Sequence, residues 1–236
     1  MFLNQYCTIL DADNFSFSRE QSSSFAKSVA DDFNPLHDVT TKRFCVPGDL
    51  LFAKILTTKG LFSQMKITFN GMVSNDVGLH IAEQSEQSMN ISDAKGKEYL
   101  AAEHHGEVTF DQDLIEQLVR SYVSFSGKNF PHVLIPLMKE KNVMINPSRP
   151  LVIYENMSID LDTLDLVKPE LEAAGAELTV NGKRGNVSLH FVFKDQGKVV
   201  GRGCKAMVMA NLREYDQVVI DELVASYNDA KKAYFG

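Results

Sequence analysis

Between residues 18 and 64 the hydrophobic rhythm of the chain changes twice. In "SREQSSSFAKSVADDF" the residues Phe25, Val29 and Phe33 recur every four positions, which predicts a helix over 18–33 with one buried face. Asn34-Pro35 is expected to end it, because a residue before proline avoids the helical region. A second helix is predicted in "DLLFAKILTTKGLFSQ", residues 49–64, with Asp49 suited to its positive end. Leu50, Leu51, Phe52, Ala53, Ile55 and Leu56 leave it almost no polar side, so it should be buried nearly all round. Strand-like runs follow: "KITFNGMV", "GLHIAEQ", "SMNISD" and "EYLAAEHHGEVTF", the last two joined by the hairpin turn "DAKGK".

The same order then returns. "DQDLIEQLVRSYVSFSGKNFPHVLIPLMKEK" reads as helix, break, helix, and "LVIYENMSIDLD", "AELTVNG", "GNVSLHFVFKD" and "KVVGRGCKAMVMANL" read as strands. "KNFP" stands 96 residues after "DFNP", and "DQGK" stands 102 after "DAKGK". Matching signals in one order at nearly one offset point to a duplication, with halves at 1–111 and 112–236. The last segment, "REYDQVVIDELVASYNDAKKAYFG", is an amphipathic helix outside the repeat. Each half is therefore helices followed by antiparallel strands, an α+β pattern. A sheet must cover one face, and the apolar helix after position 48 is the natural element to wrap. Two such sheets set edge to edge would form one continuous sheet.

Composition narrows the function. With 44% hydrophobic and 23% charged residues the chain is an ordinary globular one. No apolar run reaches membrane-spanning length, and "MFLNQYCTILDADN" has no basic region ahead of an apolar core, so neither a membrane span nor a signal peptide is expected. A net charge of −7 argues against a general nucleic-acid binder. Cys7, Cys45 and Cys204 are scattered and odd in number, with no metal-ligand spacing, which suits reduced thiols in the cytoplasm. There is no P-loop, dinucleotide fingerprint or zinc signature, and no metal or cofactor is expected.

The chemistry concentrates in "VADDFNPLHDVTTKRFCVPGDLLFAKIL", residues 29–56, where Asp32 is followed five positions later by His37 and then by Gly48 at the head of the apolar helix. A carboxylate and an imidazole can act together on one water. A glycine at the start of a buried helix offers a backbone N–H to an oxyanion and lets a ligand approach closely. Asn34 would hold the turn and orient the pair. The plainer alternative is that Asp32 and Asn34 only cap helix ends and shape a turn, with His37 on the surface. Asp31 reads as a solvated neighbour. His104 and His105 are adjacent on a strand and face opposite ways, so a shared ligand site is not expected. His80 and His190 lie within strand patterns and read as structural. Lys42, Arg43 and Lys54 are near enough in sequence to meet phosphates, although surface lysines are common.

On these residues the chain resembles the hotdog superfamily, and within it the MaoC-like, R-specific enoyl-CoA hydratases. Asp32, Asn34, Pro35, His37 and Gly48 match that family's motif over about 28 residues; elsewhere only the order of elements is similar. The resemblance implies a double hotdog, an antiparallel sheet wrapped around a central helix in each half. It implies an intrachain pseudo-dimer that leaves a further homodimer open, and a hydro-lyase adding water to a trans-2-enoyl-CoA. Asp32 and His37 would be catalytic, Gly48 the oxyanion donor and Asn34 the orienting residue. The substrate would be a thioester of CoA or of an acyl carrier protein. The chain also fits a bacterial family with this fold and no established activity. It departs from the hydratases in a shorter segment between His37 and Gly48, in Pro47 where histidine is common, and in carrying the motif in its first half. In the second half Lys128 replaces the acid and His132 follows Pro131 directly, so no working site is expected there. A non-catalytic acyl-thioester binder and a hotdog thioesterase are the rival readings.

Overall fold

A computed structural model describes residues 2–127 and 130–236. Short strands β1 (Thr8–Ile9) and β2 (Asn14–Ser16) lead into helix α1 (Arg19–Ser28). Ser18 and Gln21 form a capping box at its start, which satisfies backbone donors from both sides. The helix stops well short of the predicted Phe33. The Asp32 amide bonds back to the Ala26 carbonyl, and Asp31 takes the left-handed conformation at φ 56°, which closes the helix before Pro35 can act.

Helix α2 (Gly48–Lys59) is buried along most of its length. It ends at Gly60, whose φ of 92° suits glycine, rather than running on to residue 64 as the pattern suggested. The chain turns there into β3 (Leu61–Phe69), followed by β4 (Leu79–Ser85), β5 (Ser88–Asp93) and β6 (Glu98–Thr109). The hairpin at 93–97 forms where the sequence placed it, closed by the Gly96 amide on the Asp93 carbonyl. Helices α3 (Gln112–Gly127) and α4 (Ile135–Glu140) come next, then β7 (Val143–Met144). The second long set is β8 (Val152–Leu161), β9 (Glu170–Asn181), β10 (Arg184–Asp195) and β11 (Lys198–Ala210). Strand β12 (Arg213–Glu214) pairs with β7, and α5 (Gln217–Phe235) closes the chain.

The ten strands of the main sheet lie in the order β1-β2-β4-β5-β6-β3-β8-β11-β10-β9, and every pairing is antiparallel. Strands from before and after the middle of the chain join at β3 and β8, where Met65 stands opposite Ile159 and Ile67 opposite Met157. All four side chains are buried, so the seam is part of the core. This is a hotdog fold, doubled within one chain. Helices α2 and α3 fill the main core side by side, with the rings of Phe52 and Tyr122 4.8 Å apart. The two halves differ in which helix does the filling. In the first it is α2, after the Asn-Pro break. In the second it is the amphipathic α3, before the break, while the six-residue α4 and α5 cover a smaller core with Met138, Met207 and Ile220. Gly127 shows how tightly the helices meet: a Cβ there would press on the Ala30 carbonyl oxygen and the Asp31 backbone.

Candidate functional site

The residues between α1 and α2 form a compact loop fixed by its own side chains. The Asp32 carboxylate accepts from the Asn34 amide at 2.9 Å, and the Asn34 side chain accepts from the Leu36 amide at 3.1 Å. Pro35–His37 make a single tight turn under that cap. The turn delivers His37 Nδ1 to the Cys45 carbonyl at 2.7 Å. A carbonyl only accepts, so Nδ1 carries the hydrogen and Nε2 of the neutral ring is left as an acceptor. Nε2 lies 3.7 Å from the Asp32 carboxylate, too long for a hydrogen bond and a fitting span for one shared water.

Gly48 opens α2 on the same cavity wall. Pro47 precedes it, and among the described residues no side chain caps the helix, so the N–H groups ahead of Leu50, whose own amide bonds to the Pro47 carbonyl, can serve a ligand. A side chain at Gly48 would strike the ring of Phe69 at 2.9 Å, so the position accepts only glycine without a shift.

Asp49 stands in the first turn of α2, as its sequence position suggested, and it also has a partner across the fold. Its carboxylate is buried and lies 3.1 Å from the ammonium of Lys205, which comes from β11 and is fully buried. Lys205 also donates to the Ser126 hydroxyl and sits 3.9 Å over the Tyr122 ring and 5.3 Å from that of Tyr154. Burial holds the proton affinity of Lys205 below that of an ordinary lysine, and Asp49 offsets only part of that loss. Burial likewise raises the Asp32 carboxyl above its ordinary range. The His37 ring, whenever it carries a second proton, and the Asn34 amide pull it down, Asp49 pushes it up, and Lys205 pulls it down.

The C-terminal helix covers the loop. Tyr227 directs its hydroxyl at the carbonyls of Asp31 and Gly127, at 3.1 and 3.2 Å, and its phenol is pushed up to about 12, chiefly by burial. Phe33 packs edge-on against Tyr227, Tyr234 and Phe235. Asp31 is not a solvated neighbour: Lys231 of α5 holds its carboxylate at 2.5 Å.

These groups surround a cavity of about 410 Å³. Asp32, Asn34, His37, Gly48, Asp49, Ser126, Tyr154 and Tyr227 all line it, so the four residues singled out from sequence share one wall. Much of the remaining lining is apolar and comes from later in the chain: Phe130, Leu134, Ile145, Val152, Met207 and Leu223. The other candidates lie elsewhere. Lys42 and Arg43 are exposed and outside the cavity, and Lys54 sits over the ring of Phe15. His104 stacks on Phe62 while His105 faces out, and His80 meets Ser92. In the second half, Lys128 lies outside the described residues, and His132 is exposed and away from the cavity. Among the described residues no cluster of histidine, cysteine or acid could hold a metal ion, and no helix is long and apolar enough to cross a membrane. Sequence reasoning missed Lys205, Ser126, Tyr154 and Tyr227. Lys205 left one signal: it shares the inward row of β11 with Met207 and Met209.

Over residues 1–218 the chain matches the family described as "Protein of unknown function (DUF3581)", and it belongs to that family. No curated protein matches it. Among solved structures it is similar to a tesB protein of Mycobacterium avium subspecies paratuberculosis, at 8% identity and a TM-score of 0.46, over 88% of this chain and 96% of that one. It is similar to a MaoC-like dehydratase at 10% identity and a TM-score of 0.45, over 85% and 96% of the two chains. A conserved hot dog protein of unknown function from Alicyclobacillus acidocaldarius aligns at 8% identity and a TM-score of 0.42, over 88% and 97%.

Proposed function

We propose that this chain adds water across the double bond of a trans-2-enoyl thioester carried on CoA or an acyl carrier protein. The observation that carries the reading is the convergence of Asp32 and His37 Nε2, 3.7 Å apart, on a cavity wall that also contains Gly48. One water between the two side chains would supply both parts of the product. Its hydroxyl goes to C3, and its proton passes by way of the Asp32–His37 pair to C2. The Gly48 amide, at the positive end of α2, would hold the thioester oxygen as it gains negative charge. Asn34 would act through the turn it caps rather than on the substrate. The apolar lining suits an acyl chain, and the proposal includes the division of the chain into hotdog halves at 1–111 and 112–236.

The test is steady-state reaction with crotonyl-, hexenoyl- and decenoyl-CoA, reading conjugated thioester absorbance and free thiol together. Hydration removes the absorbance and releases no thiol. Thiol release would replace this reading with hydrolysis, and heat of binding without turnover would replace it with a binding protein.

A further inference from the structure

We propose that Lys205 is a positioning residue for this site: paired with Asp49 behind the cavity wall, it keeps Asp32 in its proton-accepting form at neutral pH. The inference rests on the reading of Asp32 as the base. Lys205 is fully buried, and the Asp49 carboxylate and the Ser126 hydroxyl are its polar partners. Ion pairs at such depth are weak stabilisers, because desolvation offsets most of their attraction. A charge kept there beside a cavity points to a task at the site.

The task follows from the groups that face Asp32. His37 lies across from it on the same loop, Asp49 approaches from α2, Tyr154 from β8 and Tyr227 from α5, and neighbouring Asp31 is neutralised by Lys231. Of the charges that act on Asp32, His37 on its own loop favours the carboxylate most, Asp49 opposes it, and among the described residues Lys205 is the one ammonium that favours it from behind the wall. Remove the ammonium and two carboxylates share a poorly solvated region, where each strengthens the other's hold on a proton, Asp32 included. A protonated Asp32 cannot take a proton from water. The base is supplied by the first half of the chain, and the charge that keeps it active by β11 of the second, 156 residues beyond Asp49.

The experiment follows the Asp32 midpoint in two ways on the full-length protein. One is the acid limb of kcat/KM on crotonyl-CoA. The other is the ¹³C carboxyl resonance of Asp32, assigned by its absence in Asp32→Asn. Activity through a carboxylate base is lost as pH falls through its pKa, so a raised midpoint moves the limb upward. Lys205→Met should raise both midpoints by about one unit or more. Asp49→Asn should lower them, and the double variant Asp49→Asn/Lys205→Met should return close to wild type. Lys205→Arg should keep the wild-type midpoint. Should Lys205→Met fail to fold, the signs of the shifts in Asp49→Asn and in the double variant decide. Midpoints that do not move in these directions overturn the proposal. A wild-type protein without hydratase turnover would overturn the hydration reading, and the resonance would still test the role of Lys205.

Discussion

Asp32→Asn should lower turnover by about 10²–10⁴-fold, the usual contribution of a general base, with little change in KM. The substitution keeps the shape of the side chain and its acceptor for the Asn34 amide, so the loop should survive while the proton acceptor is lost. His37→Ala should cost a similar factor, since Nε2 is the other group facing the shared water. The double variant should be no worse than the poorer single, because residues that act as a unit lose their joint effect at the first deletion. Steady-state kinetics on one enoyl-CoA reads all three. A loss confined to KM would instead describe two residues that only bind.

Lys205→Met should destabilise the fold by about 3–5 kcal/mol, because it strands the Asp49 carboxylate inside the protein without a cation. Asp49→Asn/Lys205→Met removes both charges and should recover most of that loss. Urea denaturation of the two single variants and the double gives the coupling between them. Additive losses would mean that the two residues contribute separately and that the ion pair has no energetic content.

The sequence made the local part of this site legible. Asp32, Asn34, His37 and Gly48 lie within seventeen residues, and their geometry is set by short-range chemistry: the Asn34 cap, the proline turn and the start of an apolar helix. Period-two and period-four patterns likewise gave most of the long strands and helices. The end of α1 escaped because a left-handed Asp31, and not the visible proline, closes it. The place of Asp49 in the first turn of α2 was legible, but its buried partner was not, because Lys205 is 156 positions away, and Tyr227 reaches the Asp31 backbone across 196. Such contacts exist only once β11 and α5 are packed. The lysine on the inward row of β11 was visible, but its neighbours were not.

The central claim is that water adds to carbon and leaves the thioester intact. Mass spectrometry of the product formed in heavy-oxygen water tests it most directly. The account predicts a single heavy oxygen, located in the C3 hydroxyl of a product that still carries its CoA. Heavy oxygen in a free carboxylate, with CoA released as thiol, would contradict it.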